Sequence, residues 1–131
     1  MRVLLDTCCL IWAVSEPAKL TVRTREVLCA KDTDVFVSPI SSAEIACLSE
    51  GGRIRLTRHW KTWFNDNVTA NGWQIVDINL AIAQEAYCLP GAFHRDPADR
   101  ILVATARHLQ LTLLTADQKI LDYPHVQTLW E

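Results

Sequence analysis

The sequence predicts an α/β fold, a central parallel β-sheet of four to five strands flanked by helices in an α/β/α sandwich, forming one domain over residues 1–131. Three observations carry this. Short apolar runs alternate with longer segments of helical spacing, the pattern of strand–helix–strand crossovers. The apolar runs are continuous rather than alternating, as in strands buried on both faces. No internal repeat, low-complexity tract or linker interrupts the alternation.

The elements follow in order. Arg2–Leu5 is an apolar run that ends at Asp6 and reads as a first buried strand. Residues 8–14 (CCLIWAV) suit a helical turn or two, closed by Ser15-Glu16-Pro17. Residues 21–30 place Val22, Val27 and Leu28 at helical spacing, and residues 34–38 (DVFVS) form a second strand stopped by Pro39. A helix over 41–50 ends at Gly51-Gly52, with Ser41 and Glu44 spaced as a capping box. Residues 57–68 repeat Trp60, Phe64 and Val68 every fourth position, with Trp63 beside them. Residues 73–78 (WQIVDI) give a third strand and 79–87 a helix, followed by a loop over 89–95. Residues 94–117 are the most informative stretch. Asp96 fits an N-cap, Pro97 the first helical position and Asp99 the third, where a carboxylate meets the positive end of the helix dipole. The apolar run from Ile101 to Ala106 continues that helix to Leu109, 111–115 is a fourth strand, and Asp117 follows it. Residues 126–130 close the chain as an edge strand.

Half of the 131 residues are hydrophobic and 21% are charged, which excludes global disorder and allows a sizeable core. The formal net charge of −2 gives no general attraction to nucleic acid, so any such contact needs local basic surface. Cys8, Cys9, Cys29, Cys47 and Cys88 contain no CxxC pair, and adjacent Cys8–Cys9 suits neither a zinc finger nor an ordinary disulfide. They read as small core residues of a protein kept in a reducing, cytoplasmic compartment. No secretory leader is expected, and no apolar run approaches the ~18 residues of a membrane span.

Asp6 ends the first strand, Glu44 is expected in the first turn after the second, Asp99 in the first turn of a later helix, and Asp117 just past the fourth strand. In a parallel sheet all four fall on one edge. Each also has a structural reading: Glu44 in a capping box, Asp96 as an N-cap, Asp117 in an Asx-turn. Asp6 is the hardest to explain that way, because a carboxylate closing a buried strand is costly without a partner. Gathered oxygen ligands favour a hard cation, Mg²⁺ with Mn²⁺ as substitute. Zinc is disfavoured, since His59, His94, His108 and His125 form no HExxH or Cys/His pair of ligand spacing. Thr7 and Thr115 place hydroxyls beside the acids, to orient a water or phosphate or to serve structurally.

LLDTCCLIWA, SSAEIACLSEGGRIRL, HRDPADRILVATA and LLTADQKI, in this order and spacing, resemble the PIN-domain ribonucleases, and more narrowly the VapC toxins of bacterial VapBC toxin–antitoxin pairs. The resemblance covers essentially the whole chain. It implies a Mg²⁺-dependent endoribonuclease held in check by a cognate VapB-type antitoxin, with Asp6, Glu44, Asp99 and Asp117 as the acidic set. Asp96 belongs to a DPxDR variant and is read mainly as a cap. Metal-assisted attack by water would leave a 3′-hydroxyl and a 5′-phosphate.

An acidic site repels RNA, so basic residues must hold it. Arg53, Arg55, Arg58 and Lys61 form the dense basic run, beside His59, Trp60 and Trp63, which either stack on bases or belong to the core. Arg95 and Arg100 flank the acidic helix start and are expected to reach phosphate. Leu10, Ile11, Trp12 and the helix around Val22–Leu28 are candidates for antitoxin contact, and a homodimer or larger assembly is expected. Two rival readings are a non-catalytic RNA-binding module on the same fold and a receiver-type signalling domain. The latter would need an acidic pair after the first strand, whereas Asp6 stands alone and Asp77 lies inside the third.

Overall fold

The computed structural model describes residues 1–131. Five strands, β1 (Arg2–Leu5), β2 (Asp34–Val37), β3 (Gln74–Ile75), β4 (Thr112–Leu114) and β5 (Thr128–Leu129), form one parallel sheet in the order β3-β2-β1-β4-β5. β1 is central because it is the most apolar: Val3, Leu4 and Leu5 are fully buried. It pairs Val3 with Val35 on one side and Leu4 with Leu113 on the other. Chain order reverses between β1 and β4. In open α/β sheets, ligands bind in the crevice beyond the strand ends at such a reversal.

The seven helices are α1 (Thr7–Ser15), α2 (Val22–Cys29), α3 (Pro39–Glu50), α4 (Trp60–Asn71), α5 (Leu80–Glu85), α6 (Pro97–Leu109) and α7 (Gln118–Leu121). Strand side chains alternate between two cores, as a period of two requires. Val3, Leu5, Val35, Val37 and Leu114 face Cys9, Leu10 and Ile11 of α1, Ile45 of α3, and Trp63, Phe64 and Val68 of α4. Leu4 and Leu113 face Leu102, Val103 and Ala106 of α6, with Ile120 of α7 and Tyr123. Truncating a fully buried leucine such as Leu4 or Leu113 to alanine costs roughly 2–5 kcal/mol. A third cluster, Ile82, Ala86 and Ala104, fastens α5 to α6.

Several boundaries differ from the sequence reading, each for a local reason. α3 begins at Pro39 rather than Ser41, because the Ser38 hydroxyl caps it and proline suits the first position. Ser41 and Glu44 therefore do not form a capping box, and Glu44 lies in the second turn. β3 shrinks to Gln74–Ile75 and β5 to Thr128–Leu129, both at the sheet edges, where only one neighbour is available. α4 closes on Gly72 at φ +67, a left-handed turn that glycine adopts without a Cβ clash. Cys9 alone among the thiols is core; Cys8, Cys29, Cys47 and Cys88 are exposed. No helix is long and apolar enough to cross a membrane.

Candidate active site

β1 and β4 end side by side, β1 running directly into Asp6 and β4 reaching Asp117 three residues past its last residue, Leu114. Asp6 N–H donates to Leu114 O at 3.1 Å, extending the ladder one residue past β1. The chain then turns into α1, with Asp6 as its N-cap: Oδ1 accepts from Cys9 N–H at 2.7 Å. The other oxygen, Oδ2, accepts from the Thr115 hydroxyl at 2.6 Å. Thr115 Oγ1 in turn accepts the Asp117 N–H at 3.0 Å, so one hydroxyl couples both strand ends. Asp117 caps α7 through Lys119 N–H at 2.8 Å.

Glu44 enters from α3. Its Oε1 accepts from the Thr7 hydroxyl, which also lies 3.0 Å from the buried Ser41 Oγ. The hydroxyls of Thr7 and Thr115 are thus engaged with carboxylates and with each other's neighbourhood, positioning acids rather than standing free for a phosphate. Asp96 caps α6, with Oδ1 accepting Ala98 N–H at 2.9 Å and Asp99 N–H at 3.2 Å. The sequence-expected N-cap, proline and third-position acid all fall where that reading puts them.

Asp6, Glu44, Asp96, Asp99 and Asp117 line one cavity of about 380 Å³, together with Thr7, Cys8, Trp12, Leu102 and Ala116. Three of these acids hold their protons more tightly than an ordinary carboxylate, chiefly because they are buried. Burial pushes Asp6 above the usual carboxylate range, against its hydrogen bonds from Thr115 and Cys9, with the charge of Asp117 adding to the rise. Burial also raises Glu44, opposed by Thr7 and reinforced by Asp96 and Asp6. Asp99 is pushed up to about 7, first by burial and then by Asp96, Asp117, Glu44 and Asp6. Burial and the same acids raise the Cys8 thiol to about 11, so it is no thiolate at neutral pH.

The donor set fits a hard divalent cation: every charged group lining the cavity is a carboxylate, and no lysine or arginine lines it. No three His, Cys, Asp or Glu side chains close around a single point. The acids therefore share a cavity without forming a closed ligand cage.

The remaining expected residues are divided. Arg53, Arg55, Lys61 and Arg95 are exposed, and Arg58 is exposed but paired with Asp66. None of them lines the acidic cavity. Arg100 is a correction. Its guanidinium donates to three backbone carbonyls, from Nε to His94 O at 2.9 Å, Nη1 to Ala86 O at 2.9 Å and Nη2 to Phe93 O at 2.8 Å. It is tied into the fold and does not present itself to phosphate. Trp63 is core, and Trp60 donates its indole N–H to Glu50. Leu10 and Ile11 are likewise core rather than partner surface. The sequence reading missed Trp12 and Cys8 as cavity wall, and it missed His94, whose Nε2 lies 3.1 Å from Asp99 Oδ2. Position alone could have found Cys8 and Trp12, two and six residues past Asp6; nothing in the sequence marks which ring would meet Asp99. Asp77 is exposed and lies beyond β3, leaving no third-strand acid for a receiver-type pocket.

Residues 3–126 match the model of the PIN domain family. The chain is 32% identical over 130 residues to Ribonuclease VapC22 of Mycobacterium tuberculosis, covering 98% of each protein. Among solved structures, it superposes on VapBC2 of Rickettsia felis bound to a DNA fragment from their promoter, with TM-score 0.73, 17% identity and full coverage of both chains. A toxin–antitoxin complex from Klebsiella pneumoniae gives TM-score 0.67 at 20% identity, covering 97% of this chain and 95% of that one. Both are likenesses of fold.

Proposed function

The chain belongs to the PIN-domain family as a VapC-type member, and on that premise we propose that it is the ribonuclease toxin of a VapBC pair, a metal-dependent endoribonuclease restrained by a VapB-type antitoxin. The observation that carries this is the gathering of Asp6, Glu44, Asp96, Asp99 and Asp117 around one cavity at the β1/β4 reversal. A divalent cation, Mg²⁺ or Mn²⁺, supplies there the activation of a water and the neutralisation of charge developing on a phosphate.

The chain's own residues prepare the site. Asp6, held on both oxygens, is fixed in place as the ligand of best-defined position; Asp99 and Asp117 face it across the crevice. Glu44, held by Thr7, lines the same cavity and would serve as a further ligand. Asp96 holds α6 so that Asp99 points inward from its first turn. Arg53, Arg55 and Lys61 are the free cations that grip RNA phosphates. For the antitoxin, the apolar groove of about 290 Å³ between Ala13, Leu20, Leu28 and Trp73 is a docking site of the right character.

The test is RNA cleavage by purified protein with Mg²⁺ or Mn²⁺, followed with and without chelator. Cleavage that survives chelation, or that survives Asp6→Asn in a folded protein, would overturn the metal-site reading.

A further inference from the structure

The geometry points to His94 as a positioning residue: we infer that its Nε2–H orients the carboxylate of Asp99, aiming one oxygen backward so that the other faces the cavity. The inference rests on the reading of Asp99 as a metal ligand and goes beyond it by naming what holds that ligand.

The argument starts at the other nitrogen. His94 Nδ1 accepts the Asp96 N–H at 3.3 Å. A neutral imidazole that accepts at Nδ1 carries its proton on Nε2. Nε2 is buried, and no oxygen lies in full hydrogen-bond alignment with it. The acidic oxygen beside it is Asp99 Oδ2, at 3.1 Å. A buried N–H left without an acceptor is destabilising, so a small rotation of the Asp99 carboxylate onto that proton is favoured. His94 is absent from the cavity wall and faces a separate pocket with Lys119 and Tyr123. It therefore stands behind Asp99 and touches no reacting atom.

The ring cannot drift away. Phe93 packs against it at 4.4 Å between centroids, and Phe93 rests edge-on to Tyr123 at 4.8 Å. The Arg100 guanidinium grips the backbone carbonyls of Phe93 and His94, and the Tyr123 hydroxyl donates to Pro90 O. Arg100 also stacks over Tyr87 and Phe93. An arginine at the α6 start thus fixes the preceding loop, the loop fixes the imidazole, and the imidazole fixes Asp99. Partners that orient a ligating side chain in this way typically contribute 10–100-fold to metal affinity.

The experiment measures Mn²⁺ binding by calorimetry in wild type, Asp99→Asn, His94→Leu and His94→Gln, with melting temperature as the control for folding. Leucine removes the N–H, whereas the glutamine amide nitrogen reaches about as far as Nε2 and restores a donor. The expected result is Mn²⁺ affinity weakened roughly 10–100-fold in His94→Leu and returned to within about threefold of wild type in His94→Gln. Unchanged affinity in His94→Leu overturns the inference, as does an equal loss in both variants. If Asp99→Asn binds Mn²⁺ like wild type, the ligand reading itself falls and this inference with it. Should His94→Leu not fold, ¹⁵N spectra of the wild-type ring decide. A neutral ring protonated on Nε2, with that signal shifted in Asp99→Asn, supports the assignment; a ring protonated on Nδ1 overturns it.

Discussion

α1 and α6 begin alike and differ in depth. Each opens on an aspartate N-cap at the rim of the same cavity, Asp6 on one side and Asp96 on the other. Asp6 is 7% exposed and has both oxygens engaged, one by its own helix and one by Thr115, 109 residues away in sequence. Asp96 is exposed, and the hydrogen bonds it accepts come from its own first turn. The same residue in the same local motif is thus a long-range fixture at one helix and a local cap at the other. Capping explains a solvent-facing aspartate by itself. It does not explain a buried one, because an N-cap confers about 1 kcal/mol while burying a charge costs several.

The sharpest way to test that contrast is Asp6→Asn. An asparagine still accepts from Cys9 N–H through Oδ1, and its amide N–H can donate to the Thr115 hydroxyl where Asp6 accepted, so the protein should remain folded while RNA cleavage drops to background. Circular dichroism and a cleavage assay check the two halves separately.

Next in size is Thr115→Val, which leaves the shape of β4 intact and removes the hydroxyl shared by Asp6 and Asp117. The buried Asp6 carboxylate and the part-buried Asp117 N–H each lose a partner, so stability should fall by about 1–3 kcal/mol in denaturant unfolding, with activity reduced. Asp96→Ala should be milder. The lost cap destabilises by roughly 1 kcal/mol, while Mn²⁺ affinity stays much closer to wild type than in Asp99→Asn. Equal loss of metal in the two variants would erase the distinction between cap and ligand.

Much of this contrast was legible in the sequence, and the reasons for the rest are physical. Asp96-Pro97-x-Asp99 is a local signal, complete within one helical turn, so the cap, the first position and the inward acid could all be read from adjacent residues. Asp6 was legible through its place after an apolar run. Its partner was not, since nothing local pairs residue 6 with residue 115. Arg100 shows the converse failure. Beside the acidic helix start it looked like a phosphate contact, yet the carbonyls it serves belong to residues 86, 93 and 94 and are brought within reach only by the fold. Glu44 lies on the expected edge but a turn further into its helix than the sequence indicates, and outside any capping box, because Pro39, expected to stop the strand, is the first residue of α3.

A subtler effect follows from acidity. Asp99 rises to about 7, and Asp6 and Glu44 rise in the same direction. A carboxyl whose folded-state pKa exceeds its unfolded value contributes stability that is fully present below the unfolded pKa and is lost as pH climbs through the folded one. The metal-free protein should therefore lose melting temperature between about pH 4 and pH 7. Saturating Mn²⁺ should flatten that slope, and so in part should Asp99→Asn. A metal-free melting temperature that rises across this window would contradict the crowding of the acids.

The smallest effect concerns RNA grip. Arg55 is exposed without an ion-pair partner, whereas Arg58 is paired with Asp66. In a cleavage-dead Asp6→Asn background, Arg55→Ala should reduce the log–log salt dependence of RNA binding by roughly 0.7, the value of one phosphate contact on a single strand, and Arg58→Ala by less. Identical slopes in all three would leave the basic run as solvated surface.

The hydrogen bond from Thr115 to Asp6 also sets a schedule for synthesis. β4 must pair with β1 before Thr115 can reach Asp6 and bring Asp117 to the cavity, and β5 pairs only with β4. Domains emerge from the ribosome amino end first, and pairings between distant segments form late. A nascent chain that has released α1 to α5 already carries Asp6 and Glu44, yet it has none of the opposing wall. The full set of acids around the cavity therefore comes together only once β4, with Asp117 beyond it, has joined β1, so the site is completed by pairing between strands far apart in sequence rather than by any local segment.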